Sequence, residues 1–244
     1  MQLLGSVLFT CFLFVFTGLY SIIFFIAAIL QPYKGRFWLA WFWGTVLLRV
    51  LKWTCRLDYR VEGLENLPAG NHVALIKHSS TWETLAQAVI LPRQAWVLKR
   101  ELMWIPFVGW DLRLLRAIAV DRGAGGTAVR QVIDQGKVLL DGGVWIVIFP
   151  EGTRRPPGAE PRYLPGVAYL YAEIGVPCVP VALNSGLFWP RRSLRRYPGT
   201  VLVEVLDPIP PGLDKRAFMA HLQTALEQAT ARLVAEGRGS VSDH

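Results

Sequence analysis

The segment Lys77-His78-Ser79-Ser80-Thr81-Trp82-Glu83 places a carboxylate five residues after a histidine. The apolar run 72–76 predicts a buried strand and the pattern from residue 81 predicts a helix, whose start can bring Glu83 back toward His78. A carboxylate beside a neutral imidazole is typical of a general base, because the carboxylate fixes the tautomer of the imidazole and stabilises the imidazolium that forms. The spacing Ser80-x-x-Glu83 is also a capping box, which serves helix stability without any catalysis.

A charged loop follows the apolar run 144–149, with the sequence Phe149-Pro150-Glu151-Gly152-Thr153-Arg154-Arg155. Backbone N–H groups beside a glycine can approach an anion closely, and the forked guanidinium of arginine matches phosphate oxygens. The loop therefore indicates a phosphate site. The alternative is an ordinary exit from a strand, with both arginines solvated.

Two more cationic side chains stand beyond apolar runs. Lys99 follows the run 95–98, and Arg122 lies just past the run 117–120. If both runs are strands, both side chains lie at carboxyl ends. For Arg122 the alternative is a surface ion pair with Asp121, which contributes only a few tenths to about 1 kcal/mol.

The elements that must position these residues alternate along the chain. Strands are expected at 72–76, 95–98, 117–120, 144–149, 178–183 and 200–206, and helices at 81–91, 127–140, 165–174 and 214–235. This alternation predicts an α/β domain with a partly parallel sheet flanked by helices. Sites in open sheets of this kind gather at the carboxyl ends of the strands.

The first 30 residues carry no charged side chain. As a helix they would be about 45 Å long, against a hydrocarbon core of about 30 Å. A second apolar run, 37–48, contains three tryptophans, a residue that favours the membrane interface. We therefore expect a helical membrane anchor over residues 1–56 and an α/β domain over 57–244. The anchor is either a span followed by an interfacial helix or a hairpin that dips into one leaflet.

The charge distribution indicates the partners. Basic residues follow the first apolar run at Lys34, Arg36, Arg49, Lys52 and Arg56, which places the α/β domain on the cytoplasmic side of the membrane. The net charge of +8 fits a protein held against anionic lipid headgroups. No nucleic-acid-binding motif is present, and the basic residues are scattered, so nucleic acid is not an expected partner.

Several kinds of chemistry find no support in the sequence. The three cysteines, Cys11, Cys55 and Cys178, fit no metal-ligand spacing and indicate free thiols, although a catalytic cysteine is an alternative. His72 and His78 have no third ligand near them, so no metal is expected. The nucleophile elbow G-x-S-x-G of serine hydrolases is missing from the sequence.

Taken in order, four segments resemble the glycerolipid acyltransferase family, especially the enzymes that acylate 1-acylglycerol 3-phosphate. His78 to Glu83 is similar to the H-x4-D motif, with glutamate in place of aspartate, and 117–122 is similar to the second motif. Phe149 to Arg154 matches F-P-E-G-T-R unaltered, and 179–181 matches a V-P-V-like strand. The resemblance covers about residues 57–206.

The resemblance implies an acyltransferase of phospholipid biosynthesis. An acyl chain would move from an acyl thioester, of either acyl carrier protein or coenzyme A, to the sn-2 hydroxyl of lysophosphatidic acid. The thioester is a co-substrate, so no cofactor is expected. The implied roles are base for His78 and orienting carboxylate for Glu83. The expected substrate-binding residues are Lys99, Arg122, Glu151, Gly152, Thr153 and Arg154.

Three other functions remain open from the sequence. The acceptor could be another lysolipid, with a larger headgroup or an amino acid. The protein could be a membrane-bound lipase or thioesterase that gives the acyl group to water. It could also bind lipid without catalysis.

Overall fold

The computed structural model describes residues 2–241, without the side chains of residues 122 and 239–241. The helices are α1 (Gln2–Ile29), α2 (Tyr33–Cys55), α3 (Trp82–Ile90), α4 (Val108–Leu114), α5 (Gly126–Asp141), α6 (Gly166–Ile174), α7 (Ser185–Phe188) and α8 (Lys215–Val241). The strands are β1 (Leu57–Glu62), β2 (Val73–Ile76), β3 (Gln94–Lys99), β4 (Ile118–Val120), β5 (Trp145–Ile148), β6 (Cys178–Leu183) and β7 (Gly199–Val205). Short 3-10 helices occupy Leu64–Asn66, Arg100–Trp104 and Arg122–Ala124.

The seven strands form one mixed sheet in the order β1-β7-β6-β2-β5-β3-β4. Strands β2 to β6 run in the same direction, and β7 pairs antiparallel with β6 and parallel with β1. The carboxyl ends of β2 to β6 therefore meet at one edge of the sheet, which we call the site edge.

Both faces of the central strands are buried. In β5, Ile146 and Ile148 face a core built with α5, α6 and α8, whereas Trp145 and Val147 face a core built with α2 and α3. A strand covered on both faces must be apolar at every position, which explains the unbroken apolar run in the sequence. The rigid two-sided packing fixes where each strand ends, and so fixes the site edge.

The two N-terminal helices pack against the α/β domain. Gly5 lies so close to α2 that a Cβ there would stand 2.0 Å from the carbonyl oxygen of Thr54. The first turn of α1 bonds to the domain through Gln2, whose side chain donates to the carbonyl of Arg196. Near its other end, the ring of Phe25 lies 5.2 Å from that of Trp110 in α4. Thus α1 lies along the domain and contacts it at both ends.

The outer face of α1 is apolar and uncovered. Large side chains such as Phe14 and Ile26 are exposed by 72% and 66%. Within the described residues, α1 alone is long and apolar enough to cross a membrane by length and composition. An exposed apolar face of this size is compatible with association with lipid.

The expected α/β class with a partly parallel sheet is confirmed. Several elements differ in detail from the sequence prediction. The second apolar run is part of a longer helix, α2, the last helix extends to Val241, and β1 and α4 were not anticipated. The proposed domain boundary after residue 56 stays a prediction; in the structure α2 ends at Cys55 and β1 begins at Leu57.

Candidate active site

The site edge collects side chains from four parallel strands. His78 follows β2, Glu151 follows β5, Ser185 follows β6, and Lys99 is the last residue of β3. Neighbouring strands lie about 4.8 Å apart, so the ends of β2, β5 and β6 lie within a side chain's reach of one another. The order of strands thus brings together residues that are far apart in sequence.

The imidazole of His78 is held by Glu83. Its Nδ1 lies 2.9 Å from Oε1 of Glu83, and its ring stacks on Phe149 with the ring centroids 4.0 Å apart. A carboxylate acceptor requires the proton on Nδ1, which leaves the lone pair of Nε2 available. Within the described part of the chain, Nε2 has no protein partner. This geometry can perform general-base chemistry.

The Glu83 carboxylate is itself fixed by three other donors. Its Oε1 accepts from the backbone N–H of Ser79 and of Ser80, both at 2.7 Å, and its Oε2 accepts from the hydroxyl of Ser185 at 2.7 Å. The hydroxyl of Ser80 accepts from the N–H of Trp82 at 3.1 Å. The capping interpretation and the orienting interpretation of Glu83 therefore describe the same carboxylate.

Ser185 was not singled out from the sequence. The available signal was its position just past the apolar run 178–183, which is the argument that selected His78. Since Ser185 gives its hydroxyl proton to Glu83, it accepts at 3.2 Å from the hydroxyl of Ser79. Both hydroxyl protons point along this chain toward the carboxylate, and neither serine bonds to Nε2 of His78. The arrangement does not build a serine nucleophile.

A buried charged cluster supports the backbone of His78. Oε2 of Glu151 accepts from the N–H of His78 at 2.6 Å, and Nζ of Lys77 lies 2.8 Å from Oε1 of Glu151. Lys77 also pairs with Glu227 of α8 at 2.5 Å, and Tyr163 donates to Glu227 at 2.7 Å. Burial raises the pKa of the Glu151 carboxyl, and the Lys77 ammonium opposes this shift. No local pattern indicates Glu227 as a partner, because it lies 150 residues after Lys77.

The loop after β5 folds over the start of α3. Gly152 has a φ of +64°, and a Cβ there would lie 2.5 Å from Cδ1 of Leu164, so a side chain would meet both a backbone and a packing conflict. Arg154 donates to the hydroxyl of Thr81, and the N–H of Arg155 donates to the carbonyl of His78 at 2.8 Å. These contacts bring Gly152, Thr153 and Arg154 beside the His78 segment.

Lys99 and Arg122 lie farther along the site edge. Since β3 and β4 are the second and third strands from β2, their ends lie about 10 and 14 Å from the end of β2. Lys99 is half exposed and pairs with Glu101 at 2.9 Å. Arg122 begins a 3-10 helix, and its side chain lies outside the described part of the chain. The Asp121 carboxylate pairs with Arg100 at 3.0 Å.

Comparisons with known proteins assign the chain to a family. Residues 58–184 match the family model named Acyltransferase. The chain is 40% identical, over 183 residues, to the 1-acyl-sn-glycerol-3-phosphate acyltransferase of Pseudomonas aeruginosa, covering 75% of this chain and 71% of that protein. It belongs to the acyltransferase family.

Two further proteins are similar to this chain. The chain is 28% identical over 201 residues to the human 1-acyl-sn-glycerol-3-phosphate acyltransferase alpha, covering 80% of this chain and 71% of the human protein. The crystal structure of the 1-acyl-sn-glycerophosphate (LPA) acyltransferase PlsC from Thermotoga maritima superposes with a TM-score of 0.79 at 22% identity. That alignment covers 96% of this chain and 99% of the other, and it shows a shared fold.

The family match includes most of the site described above. His78, Glu83 and the loop Glu151 to Arg154 lie inside residues 58–184, whereas Ser185 lies just beyond and Glu227 lies well outside. The orienting hydroxyl and the partner of Lys77 therefore come from parts of this acyltransferase that the family model does not cover.

The cysteines do not supply a nucleophile to this acyltransferase site. Burial raises the pKa of the Cys178 thiol to about 12, so the thiol stays protonated. Cys178 is the first residue of β6, at the end of the strand opposite the site. Cys55 is buried and Cys11 lies in α1. Among the described residues, no group of three His, Cys, Asp or Glu side chains could hold a metal ion.

Proposed function

We propose that this enzyme transfers an acyl chain from an acyl thioester to the sn-2 hydroxyl of 1-acylglycerol 3-phosphate, forming phosphatidic acid for phospholipid biosynthesis. The observation that carries the proposal is the His78–Glu83 pair at 2.9 Å, which leaves Nε2 of His78 open beside the loop 151–155. The names of the relatives support lysophosphatidic acid as the acceptor.

The proposed chemistry needs no covalent enzyme intermediate. Nε2 of His78 takes the proton of the acceptor hydroxyl as its oxygen attacks the thioester carbonyl. The tetrahedral intermediate collapses, the C–S bond breaks, and the thiolate takes the proton from the imidazolium. General-base assistance of this kind is worth about a hundredfold to ten-thousandfold in rate. Because thioester cleavage is already favourable, the lack of a serine or cysteine positioned on His78 is compatible with the mechanism.

We assign the acceptor phosphate to the cationic side of the site edge. Arg154 is held beside the His78 segment by Thr81, and Thr153 precedes it with a backbone N–H group for an anion. The N–H of Gly152 donates to the carbonyl of Phe149 at 3.0 Å, so Gly152 shapes the loop through its backbone conformation. Lys99 ends β3, and Arg122 begins the 3-10 helix that follows β4. Their spacing suits an acceptor that extends from the hydroxyl at His78 across the ends of β5 and β3. Holding the phosphate in this way positions the hydroxyl for attack.

We further propose that the enzyme lies in one leaflet of a membrane, with the α/β domain in the cytoplasm. A helix the length of α1 spans about 42 Å. Both ends of α1 contact the same domain, through Gln2 and through Phe25, and a helix that crossed the bilayer would separate its ends by about 30 Å of hydrocarbon. These contacts favour the hairpin over the span, and an amphiphilic acceptor would then reach the site from its own leaflet.

The first test measures thiol release from a long-chain acyl thioester, of coenzyme A or of acyl carrier protein, by detergent-purified protein. Lysophosphatidic acid is present or omitted, and wild type is compared with His78→Ala. We expect release to require the acceptor, to yield phosphatidic acid, and to collapse in the variant.

The alternatives give different results in the same assay. Release that ignores the acceptor, with free fatty acid as product, would show a thioesterase or lipase. Acylation of a lysolipid with a larger headgroup in preference to lysophosphatidic acid would change the acceptor. Turnover that survives His78→Ala would refute the role of the histidine.

A further inference from the structure

The loop 190–198, between α7 and β7, concentrates positive charge; we call it the arginine loop. Arg191, Arg192, Arg195 and Arg196 fall within six consecutive positions, and no Asp or Glu occurs between Glu173 and Glu204. Among the described residues, the first three guanidinium groups have no protein partner. No described side chain neutralises their positive charge, so the three groups are available to an external anion.

Arg196 ties the arginine loop to α1. It is only 3% exposed, and its guanidinium donates to the carbonyl of Ser6 at 2.9 Å and to the hydroxyl of Thr10. The same group stacks over the rings of Phe9 and Trp189, 5.0 and 4.2 Å from their centroids. No carboxylate neutralises this buried cation in the described part of the chain, and its Nε has no hydrogen-bond partner.

These contacts fix the position of the arginine loop relative to α1. The loop borders the N-terminal turns of α1, where Leu4 and Leu8 are exposed by 63% and 54%. Within the loop, Leu194 and Tyr197 are also exposed, by 49% and 39%. At a bilayer surface, apolar side chains enter the acyl region and basic side chains contact the anionic headgroups. The loop places both kinds of side chain beside α1, the helix proposed to enter lipid.

We propose that the arginine loop binds the anionic headgroups of a phospholipid bilayer. The basic residues Lys34 and Arg36 stand at the other end of α1, so cations border both ends of the helix. Contact at both ends holds α1 parallel to the surface and keeps the site edge, which the arginine loop adjoins, at headgroup level. The inference needs α1 in a membrane and does not depend on the identity of the acyl acceptor.

The test is a competition between two vesicle populations, one of phosphatidylcholine alone and one that also contains phosphatidylglycerol. The full-length protein is diluted from detergent into both, the populations are separated by density, and the ratio of bound protein is measured. This ratio reports the preference for anionic lipid, because the apolar face of α1 enters both populations alike.

The loop variant is Arg191→Gln/Arg192→Gln/Arg195→Gln. Each basic residue near an anionic surface contributes about fivefold, so the three together are expected to lower the preference by up to about 100-fold. In about 1 M salt, where the Debye length is about 3 Å, the wild-type preference should vanish.

The matched control removes the same number of positive charges from α5 and α8, which pack on the other face of the sheet from α1, as Lys137→Gln/Lys215→Gln/Arg216→Gln. It should keep the wild-type preference. Equal preferences for the loop and control variants would overturn the proposal. So would a loop variant with unchanged vesicle preference and reduced activity only with an acyl carrier protein donor, because the arginine loop would then serve an acidic protein. Activity on micellar acceptor tests the proposed function separately.

Discussion

The substitution Glu83→Gln separates two functions of one carboxylate. Oε1 of Glu83 accepts from Nδ1 of His78 and from the N–H groups of Ser79 and Ser80, whereas Oε2 accepts only from Ser185. The glutamine oxygen should take the position with three donors, and its amide nitrogen should face the hydroxyl of Ser185, which can turn to accept. The variant then keeps the tautomer and orientation of His78 and loses the negative charge.

The expected cost follows from the distance. Two unit charges about 2.9 Å apart attract by about 5 to 6 kcal/mol at an effective dielectric of about 20. A neutral hydrogen bond remains in the variant, so the net loss of transition-state stabilisation is about 2–4 kcal/mol. This corresponds to a kcat lower by about 30-fold to 1,000-fold. The KM for both substrates should stay near wild type, because the carboxylate touches neither.

The assay is steady-state thiol release at saturating acceptor, together with thermal unfolding of the same samples. Glu65→Gln, at an exposed carboxylate on a 3-10 helix, is the control and should behave as wild type. A kcat within threefold of wild type for Glu83→Gln would refute the charge argument. A large loss of folding stability would instead show that the hydrogen bonds at Oε1 were not kept.

Three other substitutions test two buried charged groups and the loop after β5. Burial raises the pKa of Asp111 to about 8, so the native state holds a proton that the unfolded chain releases near pH 4, and stability should fall as pH rises from about 4 to 8. Asp111→Asn should flatten that dependence in melting temperatures measured across the range. Gly152→Ala should lower the free energy of unfolding by about 1–3 kcal/mol, because the methyl group meets both a positive φ and the side chain of Leu164. Adding Leu164→Ala should remove the packing conflict and leave only the backbone cost, and denaturant titration measures both variants. Lys77→Met leaves the Glu151 carboxylate buried without its cation, which should lower the free energy of unfolding by about 3–5 kcal/mol. In a double-mutant cycle, adding Glu151→Gln should recover most of this loss, and additive effects would contradict the pairing.

The fold class was predictable because the central strands are covered on both faces. The run Trp145–Ile148 is apolar at every position, and such a run between helical patterns indicates a parallel sheet. The first strand, Leu57–Glu62, was missed because it is an outermost strand of the sheet and carries Asp58, Arg60 and Glu62. Edge strands tolerate charged residues, so composition does not separate them from loops.

The candidate site was predictable only where its residues lie close together in the sequence. His78 and Glu83 are five residues apart, and local helix geometry suffices to bring them together. Ser185 lies 102 residues from the carboxylate it contacts, and Glu227 lies 150 residues from Lys77. Their positions depend on which strand lies next to β2 and on where α8 crosses the sheet. Neither is encoded in a local pattern.

Glu83 takes part in the cap of α3 and, in the proposed mechanism, orients His78, and this double role has a physical consequence. A carboxylate in the first turn of a helix is stabilised by the free N–H groups there, and those of Ser79 and Ser80 hold it from the preceding turn. The donors that make Glu83 a good cap also stop it from rotating away from His78. The longer glutamate can therefore replace the family's aspartate, because Oε1 is held in place by the backbone. Removing those backbone donors should loosen the His78 ring without changing the side chain of His78 or Glu83, which makes the start of α3 part of the proposed catalytic geometry.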